Sequence, residues 1–245
     1  MLRFIVIIII FFPYCIAFYF KAKRAIKNKN MTVDERYGVV REMICKICKK
    51  SRITVNTYGA ENLPKEDGYA LTPNHQGRFD GLAIIKSSER NISFLIDEKR
   101  SNMPIEKTIV DALGCVRIDR SDLAKVRNSL RQLGGVIKSG RNIAVFPEGQ
   151  WSDNKNELQE FKTGALSVLS NIGCPIVPVC LYDTYKVYGI NSLKKVSCQV
   201  HFLSPIYYEE YKDMSRAELG DVIKQRIGEK LSELKGQEQK VASDK

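Results

Sequence analysis

Several motifs are absent from this sequence, and each absence excludes a class of protein. No Gly-x-Ser-x-Gly segment occurs, so a hydrolase built on a nucleophile elbow is excluded. Cys45 and Cys48 form the only C-x-x-C, with no second pair and no histidine nearby, which excludes a four-ligand zinc site. Helix-turn-helix, zinc-finger and RNA-binding signatures are also missing. Neither nucleic acid nor a bound metal is therefore expected as a partner.

Acidic residues are few compared with basic ones, 28 against 39, which gives the chain a formal net charge of +11. A surplus of this size favours an anionic partner, either nucleic acid or an acidic lipid surface, and the missing nucleic-acid signatures favour the lipid surface. The seven cysteines are odd in number and lie mostly in apolar runs, which suits a reducing compartment and not a disulfide framework. Cys45 and Cys48 lie in a segment of helical spacing, so we interpret them as packing residues on one helical face.

The most hydrophobic stretch of the chain runs from Phe4 to Phe20 without a charged residue. At about 1.5 Å per residue, its length is near the lower limit for crossing a hydrocarbon core of about 30 Å. It ends in aromatic residues instead of the small residues of a cleavage site, so we expect an uncleaved membrane anchor. The sequence leaves open whether this anchor spans the bilayer or lies in one leaflet.

Basic residues follow the apolar stretch directly and recur some way further along. They are Lys21, Lys23, Arg24, Lys27 and Lys29, then Lys46, Lys49, Lys50 and Arg52. Basic residues beside an apolar helix indicate a cytoplasmic membrane anchor, with a solvated linker as the alternative. By the positive-inside rule, the rest of the chain is expected on the cytoplasmic side of the membrane.

Beyond the N-terminal stretch, the apolar pattern alternates between helix and strand spacing. Strands are predicted over 52–57, 69–72, 92–96, 115–118, 142–146, 175–181 and 196–203. Helices are predicted over 34–50, 81–86, 105–113, from a cap at Ser121 or Asp122 to 139, over 162–171, and from Leu219 to Leu234. Strands alternating with helices predict an α/β domain with a largely parallel central sheet flanked by helices. The predicted divisions are 1–50 for an N-terminal membrane-anchoring helix or helix pair, 51–235 for the main domain, and 236–245 for a loose polar tail.

Polar residues collect at the ends of three predicted strands, in the segments 74–80, 119–122 and 146–152. In open α/β sheets, functional sites form in the loops that follow the carboxyl ends of the strands. The three clusters are therefore the first indication of a site.

Histidine is scarce, and one of only two, His75, lies in the first of these clusters, five positions before Asp80. On a continuous helix this separation would turn the two side chains away from each other. A loop at His75 with a turn through Gly77 would bring them together. A carboxylate on one imidazole nitrogen would then leave the other nitrogen free as a general base. The alternative has Asp80 as a helix N-cap and His75 as an ordinary loop residue, while His201 is interpreted as a strand residue.

Four segments are spaced along the chain between residues 70 and 181. They are Asn74-His75-Gln76-Gly77-Arg78-Phe79-Asp80, Gly114-Cys115-Val116-Arg117-Ile118-Asp119-Arg120, Phe146-Pro147-Glu148-Gly149 and Ile176-Val177-Pro178-Val179. In order and spacing they resemble the four motifs of the glycerolipid acyltransferase family, which includes the 1-acyl-sn-glycerol-3-phosphate acyltransferases. Any one segment is a weak signal, but four in order are a strong one. The resemblance implies a glycerolipid acyltransferase-like α/β fold.

The resemblance also implies a reaction, the transfer of an acyl group from acyl-CoA or acyl carrier protein to the sn-2 hydroxyl of a 1-acylglycerol 3-phosphate. The product would be phosphatidate for phospholipid synthesis. His75 would remove the hydroxyl proton and then protonate the departing thiolate, while Asp80 would orient the imidazole. No acyl-enzyme is needed, so no cysteine has to act as a nucleophile. The expected partners are membrane lipids and lysophosphatidate, with the acyl thioester as co-substrate and no further cofactor.

The resemblance assigns substrate binding to further residues of the motifs and of the segment after them. They are Arg78, Arg117, Arg120, Glu148, Gly149 and Lys162. A guanidinium at Arg120 suits bidentate contact with a phosphate. Arg117 stands where many relatives have an apolar residue, and its alternative is an exposed strand position. Lys162 has the alternative of a solvated lysine at a helix start. Gln150 and Trp151 depart from the Thr and Arg that relatives commonly carry there.

Two other functions stay open on the sequence alone. The same base would serve a different acceptor, such as glycerol 3-phosphate, another lysophospholipid or an aminolipid. A membrane lipid-binding module that keeps the fold without catalysis is the second alternative. Such a module has no chemical need for the four intact polar motif residues His75, Asp80, Arg120 and Glu148.

Overall fold

The structure is a computed structural model that describes residues 5, 6, 9, 12–102, 104–189 and 194–243. Seven strands form one sheet, and in chain order they are β1 (Ile53–Tyr58), β2 (Ala70–Pro73), β3 (Ile92–Asp97), β4 (Val116–Ile118), β5 (Asn142–Ala144), β6 (Ile176–Tyr182) and β7 (Val196–Phe202). Their spatial order is β1-β7-β6-β2-β5-β3-β4. Neighbouring strands are parallel except for the β6–β7 pair, which is antiparallel. The predicted α/β domain with a largely parallel sheet is confirmed.

Helices connect the strands and cover both faces of the sheet. They are α1 (Phe12–Lys27), α2 (Val33–Lys50), α3 (Asp80–Ser87), α4 (Pro104–Ala112), α5 (Leu123–Lys138), α6 (Thr163–Ile172), α7 (Lys186–Gly189), α8 (Tyr208–Tyr211) and α9 (Arg216–Ser243). Helices α1 to α4 pack on one face, and α5, α6 and α9 pack on the other. Asp122, one of the two predicted caps, accepts a hydrogen bond of 3.2 Å from the Ala124 amide and so begins α5.

Two hydrophobic cores lie on the two sides of the sheet. Adjacent residues of β2 contribute to opposite sides, with Leu71 in the first core and Ala70 in the second, because strand side chains alternate between faces. The central strand β6 is buried along its whole length. It is therefore a continuous apolar run, as expected for a strand covered by helices on both faces.

Helices α1 and α2 form a pair on the first face. A capping box begins α2, in which Thr32 Oγ1 accepts from the Glu35 amide and the Glu35 carboxylate accepts from the Thr32 amide. The buried face of α2 joins the core that also contains β1 and α3, through Val40, Met43, Ile44 and Cys48. The predicted division at residue 50 therefore does not separate two cores.

Exposed apolar residues form a stripe along α1 and the residues before it, which we call the apolar stripe. It consists of Ile5, Ile9, Phe12, Ile16 and Phe20, whose side chains are 41% to 67% exposed. Their spacing of three or four residues places them on one helical face. Within the predicted anchor Phe4–Phe20, residues 4, 7, 8, 10 and 11 lie outside the described residues. Of the helices described, none is long and apolar enough to cross a membrane.

The segment 236–245 differs from its prediction as a loose tail, because α9 continues as a helix to Ser243. A single Gly236 lowers helix stability by only about 1 kcal/mol, so it does not end the helix. The Tyr182 hydroxyl also donates a hydrogen bond of 2.7 Å to Glu238, which ties this part of α9 to the sheet. Residues 244 and 245 lie outside the described part. The short helices α7 and α8 were not predicted either.

Candidate active site

The carboxyl ends of five parallel strands, β2 to β6, meet at one edge of the sheet, while β1 and β7 run the opposite way. The three predicted polar clusters follow β2, β4 and β5, so they share this edge. Two contacts join them. The His75 ring lies 4.2 Å from the Phe146 ring between centroids, and Arg120 Nη2 donates to the Gly149 carbonyl at 3.1 Å. The structure therefore brings the three clusters together.

His75 and Asp80 are in direct contact, with 2.7 Å between His75 Nδ1 and Asp80 Oδ2. The loop that allows this begins at Asn74, whose side-chain amide donates to the Leu181 carbonyl and accepts from the Leu181 amide on β6. The chain then turns at Gly77, and Asp80 becomes the first residue of α3. The predicted loop and turn are both present, so the pair meets although the two residues are five positions apart.

Asp80 is fully buried and is surrounded by hydrogen-bond donors. Its Oδ2 accepts from the amides of Gln76 at 2.6 Å and Gly77 at 2.9 Å, and Oδ1 accepts from the Thr184 hydroxyl at 2.6 Å. These amides belong to the loop and not to the first turn of α3, so Asp80 is not the ordinary N-cap of the alternative interpretation. Amide N–H groups need an acceptor, which suits Asp80 as a carboxylate. In the contact between His75 Nδ1 and Asp80 Oδ2, the proton therefore belongs to Nδ1. In the neutral ring, Nε2 then has a free lone pair.

Glu148 is the second buried carboxyl group of the site, with only 2% of its surface exposed. Its Oε2 accepts a hydrogen bond of 2.6 Å from Gln159 Nε2. Its Oε1 is buried and has no hydrogen-bond partner within the described residues. Burial raises the pKa of Glu148, and the His75 backbone, the Gln159 side chain and the charge of His75 offset this only in part. A buried acceptor atom is thus available beside the histidine.

Two cationic side chains meet at the turn after β5. Gly149 adopts a left-handed conformation with φ of +76°, which favours glycine. A Cβ atom at this position would lie 3.2 Å from Lys162 Nζ, so the lysine amine is close to the turn. Arg120 approaches the same residue through its hydrogen bond to the Gly149 carbonyl. Arg120 and Lys162 are both exposed, and together they form a positive rim next to Glu148.

The remaining two predicted binding residues lie apart from this rim. Arg117 Nη2 pairs with Asp111 at 2.5 Å, and its Nε donates to Ser101 at 3.0 Å. These contacts give it a structural role between β4 and α4. Arg78 is exposed, and its side chain makes no hydrogen bond or ion pair with any described residue. Substrate contact by either arginine stays a prediction.

A polar network that the sequence did not reveal surrounds the pair. Thr184 contacts Asp80, and Gln76 accepts from the Thr184 amide at 2.9 Å while donating to Asn156 at 2.7 Å. Asn156 in turn donates to Asp183 at 2.9 Å. One signal was available, because Asp183 and Thr184 lie two and three residues after the end of the predicted strand 175–181, much as the other clusters follow theirs. A fourth polar strand end was therefore visible in the sequence.

Cysteine chemistry and metal binding find little support elsewhere in the described chain. Burial raises the pKa of five cysteines to about 12, so these thiols stay protonated near neutral pH. They are Cys48, Cys115, Cys174, Cys180 and Cys198. Across the residues that the structure describes, no group of three His, Cys, Asp or Glu side chains could hold a metal ion. The catalytic role of His75 and Asp80 stays a prediction.

The site combines a histidine–aspartate pair at the carboxyl ends of an open α/β sheet with a positive rim beside it. This combination suits an enzyme that deprotonates a hydroxyl of an anionic substrate. The acyltransferase family profile matches residues 54–182, more than half of the chain, and spans all four motifs. The chain belongs to the acyltransferase family.

Similar proteins carry names from the same family. The 1-acyl-sn-glycerol-3-phosphate acyltransferase of Salmonella typhimurium is 34% identical over 66% of this chain and 66% of its own length. The enzyme of that name from Borreliella burgdorferi is 24% identical over 75% of this chain and 74% of its own length. For the relatives from Mycoplasma pneumoniae and Mycoplasma genitalium, the match covers 58% and 49% of their lengths.

A solved structure has the same fold. The 1-acyl-sn-glycerophosphate acyltransferase of Thermotoga maritima superposes with a TM-score of 0.74 over 96% of this chain and 94% of that one. Its sequence identity is 22%, so this likeness concerns the fold alone.

Proposed function

We propose that this chain transfers an acyl group from a thioester, acyl-CoA or acyl carrier protein, to the sn-2 hydroxyl of a 1-acylglycerol 3-phosphate, giving phosphatidate. The observation that carries the proposal is the His75–Asp80 contact of 2.7 Å, which leaves Nε2 free as a base. The names of the relatives support the acceptor, because several are 1-acyl-sn-glycerol-3-phosphate acyltransferases. The exposed cations at the site suit its phosphate.

The first step forms the new ester bond. His75 Nε2 takes the proton of the acceptor hydroxyl as the oxygen attacks the thioester carbonyl, which makes the ring an imidazolium. Asp80, held by the loop amides, keeps the ring in place and stabilises its positive charge. The tetrahedral intermediate then expels the thiolate. The proton on Nε2 passes to that sulfur, which releases the thiol and restores the neutral ring.

Arg120 and Lys162 bind the acceptor phosphate in this proposal. Both are exposed and both approach Gly149, the residue after Glu148. A guanidinium and an ammonium offer several donors to the oxygens of one phosphate. In this proposal Glu148 accepts a hydrogen bond from the glycerol part of the acceptor through Oε1, an atom that has no partner among the described residues.

Attachment to the lipid surface uses the apolar stripe of α1. The stripe is exposed on one helical face, and the basic residues Lys21, Lys23 and Lys27 next to it are exposed too. An apolar face flanked by lysines suits a helix that lies in the membrane interface, with its charges among anionic headgroups. The acceptor and the product are lipids, so a site on such a surface meets its substrate without extracting it. The catalytic domain then lies on the cytoplasmic side.

The first test is acyl transfer from labelled acyl-CoA to lysophosphatidate by the purified protein in detergent. We expect phosphatidate from the native chain, and His75→Ala is expected to lower kcat by about 10²- to 10⁴-fold, because a general base is lost. His201→Gln is the matched control, since it changes the other histidine on a strand outside the site. It is expected to keep near-native activity.

Three outcomes separate the parts of the proposal. Near-normal turnover by a folded His75→Ala variant would contradict the general-base role. Product with carrier-protein thioester but not with acyl-CoA would identify the donor. No product with either donor would contradict lysophosphatidate as the acceptor, and glycerol 3-phosphate and other lysophospholipids would then be compared.

A further inference from the structure

We propose that Thr184 is a positioning residue for the His75–Asp80 pair, acting through Asp80 without touching a substrate. The Thr184 hydroxyl lies 2.6 Å from Asp80 Oδ1, and both residues are fully buried. His75 approaches the other oxygen, Oδ2. The carboxylate is therefore held between a histidine on one side and a threonine on the other.

The hydroxyl proton points to Asp80. Gln76 Nε2 faces two acceptors, the Leu181 carbonyl at 2.9 Å and Asn156 Oδ1 at 2.7 Å, so this end of the amide must be the NH₂ group. The other end, Oε1, is an acceptor 2.8 Å from the Thr184 hydroxyl, and it already accepts the Thr184 amide. A hydroxyl has one proton, and a carboxylate is a stronger acceptor than an amide oxygen.

The two carboxylate oxygens of Asp80 have unequal support. Oδ2 accepts from His75 and from the amides of Gln76 and Gly77, whereas among the described residues Oδ1 accepts from the Thr184 hydroxyl alone. Without that hydroxyl, Oδ1 would be a buried charged acceptor with no donor, which is unfavourable. The carboxylate would turn about its Cβ–Cγ bond to share other donors. Oδ2 would then leave its place at His75 Nδ1, and the ring would lose its fixed orientation.

The position of Thr184 is itself fixed by the segment that follows β6. Asp183 adopts a left-handed conformation with φ of +63°, which is uncommon for a residue other than glycine. Asn156 holds it there, because its Oδ1 accepts from the Asp183 amide at 3.0 Å and its Nδ2 donates to Asp183 Oδ1. The bend turns the chain so that the next residue, Thr184, faces Asp80. Such strain persists only where the surroundings enforce it.

The test compares three variants. Thr184→Val removes the hydroxyl and keeps the shape, Thr184→Ser keeps the hydroxyl, and Thr72→Val is the matched control. Thr72 is an equally buried threonine whose hydroxyl donates to the Val177 carbonyl of β6. Thr184→Val is expected to lower kcat by about 10- to 100-fold with both KM values unchanged, because a small misplacement of the base slows chemistry without weakening binding. Thr184→Ser and Thr72→Val are expected to keep kcat and both KM values near those of the native chain.

A second measurement shows whether Thr184 acts through Asp80. If it does, adding Thr184→Val to Asp80→Asn lowers kcat no further than Asp80→Asn alone, because residues that act as a unit are not additive. Additive losses, a rise in KM, or a fully active Thr184→Val would overturn the inference. If Thr184→Val does not fold, Thr184→Ala removes the same hydroxyl.

This inference rests on the proposed acyl transfer, and one readout separates the two. The proton on His75 Nδ1 gives an NMR signal in ¹⁵N-histidine-labelled protein, and only two histidines have to be assigned. We expect this signal to be present in the native chain and in Thr184→Ser, which both have the hydroxyl. In Thr184→Val, we expect the signal to be lost because the Nδ1 proton exchanges with solvent. An inactive native chain with this pattern would contradict the proposed acceptor alone. A signal unchanged in Thr184→Val would contradict the positioning role.

Discussion

Glu148 combines deep burial with an oxygen that has no partner among the described residues. Burial raises its pKa, so the folded protein holds a proton on Glu148 more tightly than the unfolded chain does. A raised folded pKa contributes stability below the ordinary value of 4.5, and this stability is lost as the pH rises through the folded pKa. The burial of this carboxyl group therefore lowers the stability of the enzyme above pH 4.5, where the unfolded chain loses its proton more readily than the folded protein does.

We expect Glu148→Gln to raise the free energy of unfolding near neutral pH and to lower acyl transfer. The gain is expected to grow above pH 4.5 and to vanish below it, because only the ionised carboxylate is destabilising. Urea unfolding at several pH values measures the gain. Gln159→Ala is the control, since it removes the partner of Glu148 and leaves the charge. A Glu148→Gln variant less stable than native above pH 4.5 would contradict this account.

Arg120 provides a second prediction for a single residue. Arg120→Ala is expected to raise the KM for lysophosphatidate by about 10- to 100-fold, since a hydrogen bond between charged groups contributes about 1.5–3 kcal/mol. The KM for acyl-CoA is expected to stay unchanged. Arg127→Ala, which removes an exposed arginine of α5 and the same charge, is the control. Equal effects on both KM values, or an equal effect of the control, would count against phosphate binding by Arg120.

The sequence identified the candidate site residues but only part of the hydrogen-bond network around them. His75, Asp80, Arg120 and Glu148 were found because each lies in a short local motif. Thr184 was missed because it follows Asp80 by about a hundred residues, and only the pairing of β6 with β2 brings the two together. The pairing of Arg117 with Asp111 was missed although the two residues are close in sequence, because it depends on how α4 packs beside β4.

At the scale of elements, α1 has two different faces. One is buried through Phe18, Ala22 and Ala25, and the other carries the apolar stripe. We expect the double substitution Phe12→Asp with Phe20→Asp to lower binding to anionic vesicles by about 10²- to 10⁴-fold, because each of the two exposed phenylalanines buried in lipid contributes about 1.5–3 kcal/mol.

Flotation with phosphatidylglycerol vesicles measures this binding. Leu123→Asp is the control, because Leu123 is 73% exposed but begins α5, on the opposite face of the sheet from α1. It is expected to bind as the native chain does. Unchanged binding by the double variant would show that another surface carries the attachment.

Strand and helix positions were predicted well because apolar periodicity encodes them, and most observed ends differ by one or two residues. The direction of β7 was not predictable, because a strand has the same alternation whether its neighbour is parallel or antiparallel. The end of α9 was missed because its last turns are polar. The hydrogen bond between Tyr182 and Glu238 that ties them to the sheet is a tertiary contact.

For the whole molecule, His201 makes the free energy of unfolding depend on pH under acid conditions. Burial lowers the pKa of His201 from 6.5 to about 4, with the charge of Lys230 adding to the effect. A depressed folded pKa contributes stability above pH 6.5 that is lost as the pH falls towards 4, because the unfolded chain takes up the proton first. Acid therefore weakens the fold through a residue outside the active site.

Two measurements check this prediction. In an NMR titration, the His201 signal is expected to stay in its neutral form until about pH 4, with His201→Gln identifying the signal. Urea unfolding of His201→Gln is expected to depend less on pH between 6.5 and 4 than that of the native chain. A His201 midpoint near 6.5 would contradict both expectations.

Strands β1 and β7 run opposite to the other five strands, so their carboxyl ends lie at the edge of the sheet away from the candidate active site. The loop from Tyr58 to Ala70 joins the carboxyl end of β1 to the amino end of β2, so it lies at the edge of the sheet opposite the candidate active site. Exposed residues such as Glu66 lie on this loop. Extra chain, an affinity tag or a fluorophore inserted there would be carried without disturbing turnover.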